Sequence, residues 1–237
     1  MKRAIGIALA GLIAAGSFTS AGANKHASAN PKTVKFKSAT LIVETNGTDG
    51  DAGLQIDLDH EPWRSISIAR PDGQMIFDVR NRGVLKDYGL TELFSESSEP
   101  PFTQFPFAEF KKLFPEGRYT FTGETIDGGM MKSRVRLTHN IPAAPEVTSP
   151  EEGSTVPADG LVVEWLPVTS PAGIEIAEYL VGLSGLTVTG LKAELPADAT
   201  GLTIPAEILE SGDYTLEVLA IEVGGNQTIT EVHFTVA

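Results

Sequence analysis

A short motif that occurs twice constrains the fold of this 237-residue chain more than any other feature. The first copy reads Gly117-Arg118-Tyr119-Thr120-Phe121, and the second reads Gly212-Asp213-Tyr214-Thr215-Leu216. A pair of glycines follows each copy, at positions 128–129 and 224–225. The distance between the copies is about the length of one small domain. The repeat therefore predicts two β-sandwich domains in tandem.

The second copy belongs to a stretch that resembles the fibronectin type III domain. Trp165 in Val162-Val163-Glu164-Trp165 is similar to the core Trp of that family's second strand, and Tyr179 resembles its third-strand Tyr. Leu209 and Tyr214 look like the family's Tyr corner, although they lie one residue closer together than is usual. The resemblance runs from Glu146 to the end of the chain. It implies a β-sandwich that is built around these aromatic residues.

The N-terminal half keeps the wider corner spacing in Leu113-Phe114-Pro115-Glu116-Gly117-Arg118-Tyr119, but it has no Trp at the second-strand position. It therefore resembles the immunoglobulin-like β-sandwich class rather than the fibronectin family. The predicted fold class is all-β, with two tandem immunoglobulin-like sandwiches. The predicted domains are a leader and polar segment at residues 1–29, a first sandwich at 30–141 and a fibronectin type III-like domain at 142–237.

Local patterns predict several elements. Pro71-Asp72-Gly73 between two apolar runs is typical of a β-hairpin turn. Phe107, Phe110 and Phe114 fall at helical spacing after Pro106, which predicts one short helix whose rings cover the core of the first sandwich. The prolines of Ile141-Pro142-Ala143-Ala144-Pro145 predict a stiff linker and an end-to-end arrangement of the two domains.

The first residues have the order of a secretory signal peptide. Lys2 and Arg3 precede an apolar run at 4–15, and small residues follow it. We expect cleavage after Ala23, with Ala29 as the alternative, and a secreted or periplasmic product. The apolar run is too short to span a bilayer, and we expect no transmembrane segment in the mature chain. Because the sequence contains no cysteine, we expect neither a lipoprotein anchor nor disulfides.

The chain is acidic, with 31 acidic and 18 basic residues and a formal net charge of −13. Such a field repels nucleic acid, so no nucleic-acid partner is expected. A protein or a carbohydrate is the expected kind of partner.

Acidic residues around a Gly-rich turn are the strongest candidates for a metal site. The candidate ligands are Asp49, Asp51, Asp57 and Asp59. Carboxylates on a turn suit calcium, although their spacing does not fit an EF-hand, and a solvated acidic turn is the alternative interpretation. No other cofactor is expected. The adjacent residues His60, Glu61 and Trp63 could form a ligand-binding surface with an aromatic platform for a sugar, or Trp63 could instead pack into the core.

The sequence contains no Gly-x-Ser-x-Gly, no His-x-x-x-His and no phosphate-binding Gly-rich loop. No catalytic residue is predicted. The function that the sequence favours is an exported, non-catalytic binding, adhesion or surface-spacer protein. A calcium-dependent binding module is the first alternative, and an enzyme on a sandwich scaffold is the second.

Overall fold

The fold consists of β-strands whose side chains alternate between an apolar and a polar face. The computed structural model describes residues 33–185, 188 and 190–237, so the predicted leader and both cleavage positions lie outside the described residues. The elements of the N-terminal half are, in chain order, β1 (Ser38–Asn46), β2 (Asp51–Ala69), β3 (Met75–Arg80), α1 (Leu85–Tyr88), β4 (Leu90–Glu96), α2 (Phe107–Leu113), β5 (Gly117–Thr125) and β6 (Met130–Leu137).

The C-terminal half contains the remaining strands and one 3₁₀ turn. They are β7 (Val147–Ser149), β8 (Thr155–Val156), β9 (Leu161–Trp165), β10 (Ile176–Gly185), β11 (Leu191–Pro196), β12 (Gly201–Ile204), the turn Ala206–Ile208, β13 (Gly212–Glu222) and β14 (Gln227–Val236). The predicted all-β class is confirmed. Among the described residues, no helix is long and apolar enough to cross a lipid bilayer.

The long strand β2 organises the N-terminal half. Its first part pairs with β1 and β4, and after an irregularity between Asp59 and Trp63 it pairs with β3 and β5. A strand that changes partners in this way carries one sheet through a bend. The core inside the bend contains Trp63, Ile66, Tyr119 and Phe121, which are fully buried. The predicted hairpin joins β2 to β3, and Gly73 takes the positive φ of 88° that its turn requires.

The predicted helix is α2, which begins directly after Pro106. Phe110 is buried, and Phe107 and Phe114 pack against the same core, which confirms the expected role of these rings. One helix was not predicted: α1 is a single turn with no buried residue, so no apolar periodicity marks it in the sequence.

The C-terminal half is a β-sandwich of two sheets. The three-stranded sheet has the order β12-β9-β7, and the facing sheet includes β11-β10-β13-β14. Trp165 and Tyr179 are buried between them with ring centroids 5.4 Å apart, as the fibronectin type III resemblance implied.

Both corner tyrosines make the same local contact. The hydroxyl of Tyr119 donates to the carbonyl of Pro115 over 2.9 Å, and the hydroxyl of Tyr214 donates to the carbonyl of Glu210 over 3.0 Å. The tighter spacing at Tyr214 therefore keeps the bond to the residue four positions back. The Tyr214 hydroxyl also accepts from the backbone N–H of Glu210 at 3.0 Å.

A short strand pairing joins the two halves directly, a contact that the predicted end-to-end arrangement did not include. β1 pairs with β14 in parallel through Glu44, Thr45 and Asn46, which merges strands of both halves into one 11-stranded sheet. The linker follows β14 rather than extending away from it. The hydroxyls of Thr228 and Thr230 donate to the carbonyls of Pro142 and Pro145, at 2.6 and 2.7 Å.

Candidate functional site

Four carboxyl groups lie close together where β1, β2 and β4 meet, beside the junction between the halves. We call Glu44, Asp51, Glu96 and Glu99 the acidic cluster. Oxygen atoms of Glu44, Glu96 and Glu99 all lie within 4.8 Å of one another. Glu44 faces Gly53 across the β1–β2 pair, and Glu96 faces Gln55 across the β2–β4 pair. Strand register therefore brings together residues that are far apart in the sequence.

A segment that crosses β2 after β4 positions Glu99. The N–H of Ser97 donates to the carbonyl of Leu54 at 3.0 Å, and farther along the N–H of Phe102 donates to the carbonyl of Gly50 at 2.7 Å. Between these two contacts the side chain of Glu99 lies directly over Gly53. A Cβ atom on Gly53 would be 2.2 Å from Oε1 of Glu99, so the absence of a side chain there is what admits the carboxylate.

Two amide side chains hold the carboxylates in place. Nε2 of Gln55 donates to Oε1 of Glu96 at 2.9 Å. Nε2 of Gln227 donates to Glu44 and also to Oε1 of Gln55, the latter at 3.3 Å. Gln227 lies on β14, so the hydrogen bonds of the acidic cluster extend across the junction into the C-terminal half.

Burial dominates the electrostatics of this cluster. Burial, with a smaller contribution from the neighbouring carboxylates, raises the pKa of Glu99 to about 8. Burial likewise raises the pKa of Glu44 to about 7, although the hydrogen bond from Gln227 opposes the shift. Burial also raises the pKa of Asp51 to about 6, with Asp49 the largest additional cause. Among the described residues, no Lys or Arg forms an ion pair with the cluster. Such a group of carboxyls can hold protons or a hard cation.

One atom of the cluster lacks a partner. Asp51 lies at the start of β2, near the other acidic side chains. Its Oδ1 is buried and has no hydrogen-bond partner. A buried carboxylate oxygen without a donor is costly unless a proton or a cation satisfies it.

The structure places the four predicted metal ligands in two groups. Asp49 and Asp51 lie at the 46–51 turn, and Asp51 joins the acidic cluster. Asp57 and Asp59 lie farther along β2, where they face β4 near Glu92. Six residues of extended strand separate Asp51 from Asp57 by about 20 Å, so the four side chains do not converge. Calcium binding by this protein stays a prediction, with a different set of oxygen ligands now adjacent.

Two of the three predicted ligand-binding residues are buried. Trp63 is 0% exposed and lies in the core, and His60 is buried with Nε2 3.1 Å from the carbonyl oxygen of Lys35. Glu61 is exposed and forms an ion pair with Lys37 at 2.8 Å. The indole of Trp63 therefore presents no face to solvent, and a ligand-binding role for these residues stays a prediction.

Only Asp51 of the acidic cluster was a predicted metal ligand; Glu44 was not, and neither were Glu96 and Glu99. Their neighbours in sequence carry no metal-binding pattern, and their contacts depend on the pairing of β4 with β2. The signal that could have identified Glu99 is Gly53, a glycine inside the strand β2, which indicates close approach by another group.

Comparison with known proteins gives structural neighbours only. No protein-family model matches the chain. No curated protein matches it in sequence. The FN1–FN3 domains of chicken CNTN1 are similar in structure over 87% of this chain, with 8% identity and a TM-score of 0.35, and the chain spans 65% of the length of that segment.

Two further solved structures are similar at the same level. A two-domain fibronectin type III segment of chicken tenascin aligns over 87% of this chain and 99% of its own, with 12% identity and a TM-score of 0.30. Domains A168–A170 of titin align over 83% of this chain and 62% of their own, with 17% identity and a TM-score of 0.29. The structures to which this chain is similar are thus arrays of fibronectin type III and titin domains.

Proposed function

We propose that this chain is an exported, non-catalytic binding or spacer protein whose two halves act as one rigid unit. The observation that carries this proposal is the parallel pairing of β1 with β14, which makes one sheet of strands from both halves. A spacer or a presenting scaffold needs a fixed geometry between its parts. Continuous backbone hydrogen bonding across a junction supplies that geometry better than a flexible linker does.

Buried polar contacts reinforce the junction. Asn226 is almost completely buried, and its Oδ1 accepts from the N–H of Val43 at 2.9 Å. Its Nδ2 lies within hydrogen-bond distance of Oγ1 of Thr138 and of the carbonyls of Thr138 and Asn140, at 2.9 to 3.2 Å. One side chain thereby ties together β1, the linker and the start of β14.

The contacts of the described histidines support a non-catalytic role. Nε2 of His60 and of His139 lies next to a backbone carbonyl oxygen, and His233 lies next to Glu152. A general base for a nucleophile would instead face a hydroxyl. The missing catalytic motifs of the sequence agree with this interpretation.

A turnover assay tests this proposal. The purified protein should hydrolyse no member of a panel of glycans, esters and peptides faster than heat-denatured protein does. Enzyme-like turnover that a Glu99→Gln variant abolishes would overturn the non-catalytic assignment. Export has its own test: expression in a secreting host should yield a product outside the cytoplasm that lacks the first 23 or 29 residues, whereas an uncleaved cytoplasmic product would contradict it.

A calcium-dependent binding module is the second candidate, and the acidic cluster favours it. Three carboxylates within 4.8 Å of one another and the unpartnered Oδ1 of Asp51 supply the oxygen ligands that calcium takes. We expect millimolar calcium to raise the melting temperature at pH 9, above the raised pKa values of Glu44, Asp51 and Glu99, and to have no such effect on Glu99→Gln.

The exposed Glu92 provides a matched control, and Glu92→Gln should respond to calcium like the unmodified protein. The absence of both a shift in melting temperature and a calorimetric signal in millimolar calcium would remove this candidate while leaving the spacer proposal intact.

A further inference from the structure

A groove with basic walls lies in the N-terminal half, away from the acidic cluster. The backbone of residues 33–35 runs beside β6: the N–H of Val34 donates to the carbonyl of Met130 at 2.9 Å, and the N–H of Lys132 donates to the carbonyl of Val34 at 2.8 Å. The groove between these segments has a volume of about 520 Å³. Its walls, which we call the basic groove, are Thr33, Lys35, Lys132, Ser133 and Arg134. That volume is within the range of small-molecule sites.

The charges of the groove have no ion-pair partner in the part of the chain that the structure describes. Lys35, Lys132 and Arg134 are exposed, and among the described residues none of them forms an ion pair. Elsewhere in the same half, Lys37 pairs with Glu61 and Arg64 pairs with Glu124, each at 2.8 Å. In a chain with 31 acidic and 18 basic residues, three adjacent cations without a carboxylate partner are unexpected.

The basic surface continues along the sheet. Arg136 follows Lys132 and Arg134 on the exposed face of β6, and Arg118 lies directly opposite Arg136 on β5. Like charges in directly opposed positions destabilise a sheet. Departures from local rules of this kind are expected where a functional site is formed.

A hydroxyl group completes the donor set. Thr33 supplies it, whereas the side chain of Ser133 alternates with those of Lys132 and Arg134 along β6, and its Oγ accepts from the N–H of Phe36 at 3.1 Å. Two ammonium groups, one guanidinium and one hydroxyl form a donor set that fits a tetrahedral oxyanion, because guanidinium can bind two of its oxygens at once and ammonium groups neutralise its charge.

We propose that the basic groove binds the phosphate or sulfate group of a small ligand. The net charge of −13 selects a small ligand over a long polyanion, because a polymer that reached beyond the groove would meet the acidic remainder of the surface. Phosphate and sulfate esters both carry the tetrahedral oxyanion that the groove would recognise. Titration with each of them shows which of the two anions binds. The site depends on neither the junction nor the acidic cluster.

The test is a titration of the full chain, isotope-labelled and at low salt, followed by NMR. The probes are inorganic phosphate, inorganic sulfate, a phosphorylated monosaccharide, a sulfated monosaccharide and the neutral monosaccharide. We expect the anionic probes to shift the amide resonances of residues 33–35 and 132–134, and the neutral sugar to leave them unchanged. Arg134→Gln and Lys132→Gln should each weaken binding by about tenfold.

Exposed cations elsewhere in this half serve as matched controls. Arg82→Gln and Lys86→Gln should bind the probes like the unmodified protein, and all four variants should keep its melting temperature because the substituted side chains are exposed. The proposal is overturned if no anionic probe binds at tens of millimolar, or if the groove variants bind as the controls do. Binding of a sulfated polysaccharide without binding of any small anion would also overturn it.

Discussion

Tyr119 and Tyr214 show how one hydroxyl group can fix a chain crossing. Each tyrosine is buried at the start of a strand, and each hydroxyl donates to the carbonyl four residues back. Only Tyr214 also accepts a bond, from the N–H of Glu210. The choice of Tyr over Phe at both positions therefore has a local physical reason.

Replacement of each tyrosine by Phe tests that reason. Tyr214→Phe should reduce the free energy of unfolding in urea by about 1 to 2 kcal/mol, because it leaves two backbone groups of Glu210 without their partner. Tyr119→Phe should cost about 1 kcal/mol, since a single bond is lost. Equal stability of both variants and the unmodified protein would show that the hydroxyls do not stabilise these corners.

Glu44 couples stability to pH. Burial raises its pKa to about 7, well above its ordinary value of 4.5, so the folded protein holds a proton that the unfolded chain has already released. Stability should therefore fall as pH rises from about 5 to about 8, by about 1 to 3 kcal/mol.

Glu44→Gln should reduce this pH dependence, because an amide carries no proton to lose and still accepts from Gln227, and the raised pKa values of Asp51 and Glu99 account for the part that remains. The exposed Glu207 supplies a control, and Glu207→Gln should keep the full dependence. Chemical denaturation at several pH values measures both. A stability that increases toward pH 8 would contradict the account of a buried, unpaired carboxyl.

At the scale of elements, local sequence signals predicted most of the secondary structure. The Pro71-Asp72-Gly73 turn and the Pro106 helix start are encoded by residues that lie next to each other, and both are present in the structure. Not every boundary has such a signal: β1 begins at Ser38, whereas residues 33–35 run beside β6. The alternation of apolar and polar residues does not tell that residues 33–35 and β1 pair with different strands.

The acidic cluster and the junction could not be predicted in the same way. Glu44 meets Glu96 and Glu99 only because β4 pairs with β2, and it meets Gln227 only because β1 pairs with β14. Pairings between residues so far apart leave no periodic signal in one sequence. The stiffness that the linker prolines indicate stays a prediction, and stiffness does not determine where a linker leads.

The helix α2 makes a testable contribution to the core. Phe110 is 3% exposed and contacts the rings of Phe107 and Phe114. Phe110→Ala should lower the free energy of unfolding by about 3 to 5 kcal/mol, because it leaves a cavity in the core. Phe94 is 40% exposed and is the matched control: Phe94→Ala should cost far less. Comparable losses in urea denaturation would mean that α2 does not cover the core.

At the scale of the whole molecule, the proposed function rests on the junction. Each half has a hydrophobic core of its own, and the β1–β14 pairing with its buried Asn226 joins the halves. The four-strand sheet of the C-terminal sandwich and the bent sheet of the N-terminal half thereby belong to one sheet. The acidic cluster and the basic groove both lie in the N-terminal half, so the junction bears only on how that half is held relative to the C-terminal sandwich.

Distance measurement between spin labels tests this rigidity most directly, and the lack of native cysteines makes specific labelling straightforward. Arg82→Cys and Thr169→Cys place one label on an exposed position of each half. The account predicts a single narrow distance distribution by pulsed electron paramagnetic resonance, and a broader one after Asn226→Ala, with the exposed Gln104→Ala as a silent control. A broad distribution in the protein with intact Asn226 would contradict the claim that the two halves form one rigid unit.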